Sequence, residues 1–186
     1  MIRSGAQLFR ERGVSGTSFA DVLEHSGAPR GSVYHHFPGG KDEFAIEVTR
    51  YAGGLIGGAL RGALEGDDPV AAVRSFADMW IGVLESGEYA AGCPVVAVAV
   101  DAAPGPGTRA AAGDAFAAWE SDLAVVLVRR GVGEDRARSL ATLVLSGIEG
   151  AIVLCRAQGS AEPLRRVAGE LATVVGAAVA GSRPPA

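Results

Sequence analysis

Apolar side chains recur along this chain at intervals of three and four, and glycine or proline closes almost every run. Residues 2–12 carry the first such run. Phe19, Val22 and Leu23 then share one face of a short helix, preceded by Thr17 and Ser18 as capping hydroxyls. Asp21 falls in its first turn, where a carboxylate suits the positive end of the helix dipole, and Gly27 ends it. A second short helix follows over residues 30–37, with Pro29 in its first turn, where a missing N–H costs nothing. Val33 and Phe37, four apart, point inward, and Arg30, Ser32, Tyr34 and His35 project outward. Pro38-Gly39-Gly40 stops this helix and Lys41 starts a long one reaching about Leu64.

The remainder is also helical in pattern. The Gly53-Gly54 and Gly57-Gly58 pairs weaken the long helix by about 1 kcal/mol per glycine, and allow close packing or a bend. Asp68-Pro69 opens a helix with Val73, Phe76, Ala77, Trp80, Ile81 and Leu84 on its apolar side, and Gly87 ends it. Residues 92–103 read as a short helix or a strand, and Pro104 to Gly107 as a turn. Phe116, Trp119, Leu123, Val126 and Leu127 mark a longer helix ending near Gly131. Two last helices are expected at about residues 134–158 and 161–180. The fold class expected is all-α.

Residues 17–41 have the spacing of a helix-turn-helix, in which the second helix enters the major groove of DNA. Arg30 suits a two-pronged contact to guanine, with Ser32 and His35 within reach of the groove. Gly31 lets the helix lie close to the sugar-phosphate wall, or else serves packing. Lys41, the only lysine in the chain, is placed as a phosphate clamp, against the plainer reading of a solvated charge. His35 and His36 are neighbours about 100° apart on a helix, so they do not chelate one ion. No metal, cofactor or catalytic residue is expected.

The run LFRERG followed three residues later by TSFADVLEHSGAPRGSVYHHFPGGKDEF resembles the N-terminal domain of the TetR family of transcriptional regulators. The resemblance implies a DNA-binding domain over residues 1–46 and a ligand-binding and dimerisation domain over 47–186. It implies that Arg30 to His35 reads or frames an operator. It also implies that Tyr34, Lys41, Thr17 and Ser18 touch phosphates, which set register without reading sequence. Two features depart from the family pattern. Pro29 stands where a capping hydroxyl is common, and no basic arm precedes Ile2. The second departure implies either a start internal to the natural gene product or fewer backbone contacts.

Gly92-Cys93-Pro94, the Phe116 and Trp119 pair, and SGIEGAIVLCRA (residues 146–157) resemble the C-terminal domain of the LmrA/YxaF-like branch. This implies a pocket between the middle helices, lined by Phe76, Met79, Trp80, Leu84, Cys93, Phe116, Trp119, Glu120 and Glu149. Large aromatics in a chain with few of them suit such a site, although any core uses them too. Glu149 is a carboxylate in an apolar helix, either serving a ligand, facing solvent or pairing with Arg156. The implied function is a regulator, by family default a repressor, released from a palindromic operator by a small apolar or aromatic effector. The family's last two helices form a four-helix bundle with a partner copy. The sequence agrees independently, because both helices are apolar nearly all round and must be covered. Leu140, Val144, Ile148 and Ile152 mark one side of helix 134–158. Leu143, Gly147, Gly150 and Leu154, with Leu171, Val174 and Val175 of the last helix, are the candidate homodimer interface. The alternative is that these residues fold into the monomer's own core.

Charge narrows the picture further. Residues 1–50 hold six basic side chains (Arg3, Arg10, Arg12, Arg30, Lys41, Arg50) and six acidic ones, so the remainder carries the whole net charge of −4. DNA would therefore meet one local face. Cys93 and Cys155 form no CxxC pattern and are expected buried and reduced in a cytoplasmic chain. The apolar stretches are expected to be cut by charges before the roughly 18 residues of a membrane helix. Two rivals stay open. Val95 to Val100 followed by Gly105-Pro106-Gly107-Thr108-Arg109-Ala110 fits a strand and a GxGxxG/A dinucleotide loop, hence a dinucleotide-binding enzyme. The other is a non-catalytic adaptor that uses the helix-turn-helix fold to bind a partner.

Overall fold

The computed structural model describes residues 1–182, with the side chain of Tyr34 left out of the description. Among the described residues there are nine helices and no strand. They are α1 (Ile2–Arg12), α2 (Phe19–Ser26), α3 (Ser32–His36), α4 (Gly40–Leu64), α5 (Pro69–Ser86), α6 (Pro94–Ala99), α7 (Pro106–Arg129), α8 (Glu134–Gln158) and α9 (Glu162–Gly181).

Local chemistry sets the ends. Ser18 caps α2 in a reciprocal box: its hydroxyl accepts from the Asp21 N–H, and the Asp21 carboxylate accepts from the Ser18 N–H at 2.7 Å. Gly27 closes α2 at φ 66°, a left-handed conformation that disfavours a side chain. Asp68 caps α5 by accepting from the N–H groups of Val70 and Ala71. Pro69 fills the first helical position, which needs no donor.

Two expectations are corrected here. The second helix of the motif begins at Ser32, not Arg30. The Pro29 carbonyl accepts from both the N–H and the hydroxyl of Ser32, at 3.0 and 2.6 Å, and this turn holds Arg30 and Gly31 outside the helix. Residues 95–100, the strand of the dinucleotide-loop reading, are largely the helix α6, and Pro106 and Gly107 begin α7. The sheet which that reading requires is absent among the described residues.

The helices form two compact units: Met1–Ile56 with Ala91–Phe116, and Gly57–Ala90 with Ala117–Ala186. These packing units differ from a division at residue 46, since α6 and the first half of α7 cluster with the helix-turn-helix. In the first unit α1 packs on α2 and α6. In the second, α5, α8 and α9 pack on one another around Phe76, Trp80, Leu84, Leu140, Ile148, Ile152 and Leu164. Contrary to the expectation from charge placement, α8 is long and apolar enough by length and composition to cross a membrane. Its buried side nonetheless packs on α5 and α9, as a core helix does.

The glycine pairs of α4 divide their work. A Cβ at Gly53 would lie 2.8 Å from the Ala115 methyl carbon, and one at Gly57 would lie 2.8 Å from Nε1 of Trp119. Gly54 and Gly58 face open space. Close packing thus explains one member of each pair.

Gly57→Ala should therefore destabilise the protein by about 1–3 kcal/mol through overpacking against the buried indole. Thermal melts should register this as a fall of about 2–4 °C per kcal/mol. Gly58→Ala should instead hold or raise the melting temperature, since an exposed helical alanine is favoured by up to about 1 kcal/mol.

Candidate nucleic-acid interface

The head is organised around one ring. Phe44, in the second turn of α4, meets Phe9 of α1, Phe19 of α2 and Phe37 at the end of α3, with centroids 6.1, 5.5 and 5.0 Å apart. All three contacts are edge-on, the favoured geometry for aromatic quadrupoles. Gly5 lets α1 approach, because a Cβ there would lie 2.6 Å from Cζ of Phe44. Val33 and Phe37 are buried as their spacing predicts. The opposite side of α3 and its preceding turn is left facing outward.

That outward face holds most of the candidate residues. Arg30, Gly31 and His35 are exposed, Ser32 is half-buried, and Lys41 is exposed at the start of α4. A Cβ at Gly31 would touch nothing within 4 Å, and its φ of −74° suits any residue. No internal packing contact therefore explains a glycine at this position. Arg12 pairs with Asp21 at 3.7 Å and Arg50 with Glu47 at 3.0 Å. Arg30 and Lys41 make no ion pair among the described residues, although Lys41 lies near enough to Asp101 to help hold its carboxyl ionised.

Thr17 is corrected. It is buried, and its hydroxyl donates to the Gly13 carbonyl at 2.8 Å, which ties the turn before α2 to the end of α1. Ser18 is exposed but is committed to its cap. The side chain of Tyr34 lies outside the described residues.

A contact invisible in the sequence braces the same turn. Asp101, between α6 and α7, accepts from the Ser15 N–H at 2.8 Å and from the Ser15 hydroxyl at 2.6 Å. The hydroxyl hydrogen bond, more than any other cause, holds the Asp101 carboxyl below the ordinary carboxylate value. The two residues are 86 positions apart, with no local motif to link them.

The remaining candidates divide between the two units. Cys93 and Phe116 belong to the first, and Phe76, Met79, Trp80, Leu84, Trp119, Glu120 and Glu149 to the second. Phe76, Trp80, Leu84, Cys93 and Trp119 are buried, and Met79, Phe116, Glu120 and Glu149 are half-buried. The Trp80 indole N–H, inside the second unit, has no hydrogen-bond acceptor among the described residues. Glu120 lines a cleft of about 630 Å³ along α7 and the first turns of α8, with Ala124, Val125, Val128 and Arg138. Arg156 donates to the Ala90 carbonyl at 3.0 Å.

The candidate interface residues also separate. Leu143 and Leu154 are 45% and 48% exposed, and Gly150 lies exposed between them on α8. Leu171 and Val175 are 6% and 1% exposed, so they serve the protomer's own core, a correction to their expected role. Gly147 is half-buried and sits against α9, where a Cβ would lie 3.1 Å from Leu171. Val174 is half-buried.

Comparison with known proteins accords with this architecture. Residues 1–48 match the family model described as bacterial regulatory proteins, tetR family. Residues 69–170 match that of the transcriptional regulator LmrA/YxaF-like C-terminal domain. The chain is 37% identical over 170 residues to the HTH-type transcriptional regulator Rv0196 of Mycobacterium tuberculosis, covering 88% of this chain and 86% of that protein. It is 32% identical to the HTH-type regulator YxaF of Bacillus subtilis, covering 94% and 93% respectively. Among solved structures, a TetR regulatory protein from Rhodobacter sphaeroides superimposes with a TM-score of 0.83 at 23% identity, covering 92% of this chain and 95% of that one. CifR, a TetR-family regulator solved with a 26-base-pair operator duplex, superimposes at 0.77 and 22% identity, covering 92% and 93%. The chain belongs to the TetR family of bacterial transcriptional regulators, in its LmrA/YxaF-like branch.

Proposed function

We propose that this regulator is an intracellular homodimer that represses transcription from a palindromic operator and is released by a small apolar or aromatic effector. The observation that carries the operator reading is the pair of exposed cations, Arg30 and Lys41, which bracket α3 and make no ion pair among the described residues. Arg30 would read guanine and Lys41 would clamp a phosphate, while Gly31, with no packing duty, permits close approach. The relative CifR, solved on operator duplex, supports the same use of the fold. We assign operator binding to residues 1–46 and effector binding and dimerisation to residues 47–186.

The exposed apolar face of α8 supports dimerisation. Leu143 and Leu154 lie on one side of the helix about three turns apart, with Gly150 between them. A second copy meeting this face would remove both leucines from water and pair two heads for adjacent major grooves about 34 Å apart. The effector reading draws on the Trp80 N–H. A buried indole donor without an acceptor costs stability, and a ligand with a carbonyl or hydroxyl acceptor would recover it. α4 and α7 each contribute to both compact units, so a change in the body has a covalent route to the head. A ligand can act this way only by preferring one body shape over the other.

Gel retardation on duplex flanking the regulator's own gene, at two salt concentrations and against random DNA, tests the operator reading. A salt-sensitive band that survives competitor supports it, and no band at either salt favours the adaptor reading. Arg30→Ala should weaken operator binding by about 10- to 150-fold and relax base preference at one position. Lys41→Ala should weaken all sequences alike and lower the salt slope by about one. Leu143→Glu with Leu154→Glu should shift the sedimenting species from dimer to monomer at an unchanged helical dichroism signal. Leu171→Ala should instead lower the melting temperature, because it opens the protomer core at a cost of about 2–5 kcal/mol.

A further inference from the structure

Residues 91–116 lie within the stretch matching the LmrA/YxaF-like C-terminal domain, yet they pack in the same compact unit as the helix-turn-helix. Several contacts tie this segment to the head. The Gly92 N–H donates to the Arg10 carbonyl at the end of α1, at 2.9 Å. α6 packs along α1. Gly107 fits against the start of α4, where a Cβ would lie 2.6 Å from Cδ1 of Ile46, and a Cβ at Gly105 would run into the Asp42 carboxylate. Between these points Asp101 holds Ser15 with both carboxylate oxygens, and Oδ1 also accepts from the Ala103 N–H at 3.1 Å. The loop that grips Ser15 is thus braced by its own backbone.

Ser15 occupies the turn that delivers the chain to Thr17 and Ser18, the start of α2. α2 and α3 are short and are joined by a left-handed glycine and a proline turn. Their placement depends on where that turn is held. We propose that Asp101 is a positioning residue for DNA recognition: its two-pronged grip on Ser15 fixes the α1–α2 turn and thereby the presentation of α2 and α3 to the operator. Residues 91–116 then bear directly on the α1–α2 turn within the first compact unit. The proposal rests on the operator-binding reading above.

Charge gives the test a clear sign. Asp101 is an anion near Lys41, and the nearby ammonium contributes to holding its carboxyl ionised. If Asp101 acted only through charge, removing it would strengthen binding to a polyanion. Positioning predicts the reverse. A partly exposed hydrogen bond contributes little to global stability, so the effect should appear in DNA affinity more than in melting.

The experiment is a fluorescence-anisotropy titration of the full chain on its operator duplex and on random duplex, with hydrogen exchange of residues 13–18 measured in parallel. Asp101→Ala should lose about 5- to 30-fold in operator affinity, less on random duplex, with faster exchange in the turn. Ser15→Ala should lose less, because its N–H still reaches the carboxylate. The double variant should bind no more weakly than Asp101→Ala alone, since both break one interaction. Asp101→Asn, which keeps one acceptor for the hydroxyl, should recover part of the loss. Equal or tighter operator binding by Asp101→Ala, or strict additivity of the two variants, overturns the proposal. If the wild-type chain does not select its operator over random DNA, the operator reading falls and the positioning role with it. A wild type that selects its operator beside an unimpaired Asp101→Ala removes the positioning role alone.

Discussion

Three short helices converge on one phenylalanine, and the recognition surface depends on that convergence. α3 has five residues and α2 has eight, too few to be stable in isolation. Their helical form is maintained by packing, and the shared contact is Phe44 against Phe9, Phe19 and Phe37. The ring belongs to α4, a 25-residue helix that contributes to both compact units. A side chain that closes the head's core therefore also fixes the head to the helix that continues into the body. Gly5 belongs to this constraint, since a methyl group there would displace the ring.

Electrostatics adds selectivity to that scaffold. The head is balanced in charge and the rest of the chain is acidic, so attraction to a nucleic acid cannot be diffuse. Local ion pairs occupy Arg12 and Arg50, whereas Arg30 and Lys41, on either side of α3, make none among the described residues. Capping does similar work on the polar side chains. Ser18 and Thr17 both spend their hydroxyls on the backbone or on Asp21, which sets the angle of α2 and leaves less for a phosphate.

Much of this was legible in the sequence where the determinant is local. Ser18, Gly27 and Asp68-Pro69 sit at helix ends because their conformations or hydrogen bonds belong there, and α1 and α8 have the bounds their patterns predict. Where two local signals compete, the sequence was ambiguous. The valine-rich run at residues 95–100 has the composition of a buried strand, yet most of it folds as a helix that opens on Pro94 and packs against α1. Pro29 suggested a helix start, but its carbonyl forms a turn with Ser32 and delays the helix by two residues. Features set by distant residues could not be read. Which glycine of each α4 pair meets α7 depends on helix phase, and the burial of Leu171 and Val175 depends on the mutual packing of α8 and α9. The Ser15–Asp101 contact joins positions 86 residues apart.

Under the proposed function, two such heads, paired by dimerisation, read adjacent grooves on one face of DNA. Hydroxyl-radical footprinting of the full chain on duplex flanking its own gene measures this directly. Two protected patches are expected on one side of the helix, centred about 10 base pairs apart and related by the symmetry of the sequence beneath them. A single unpaired patch, or uniform protection without boundaries, would contradict it.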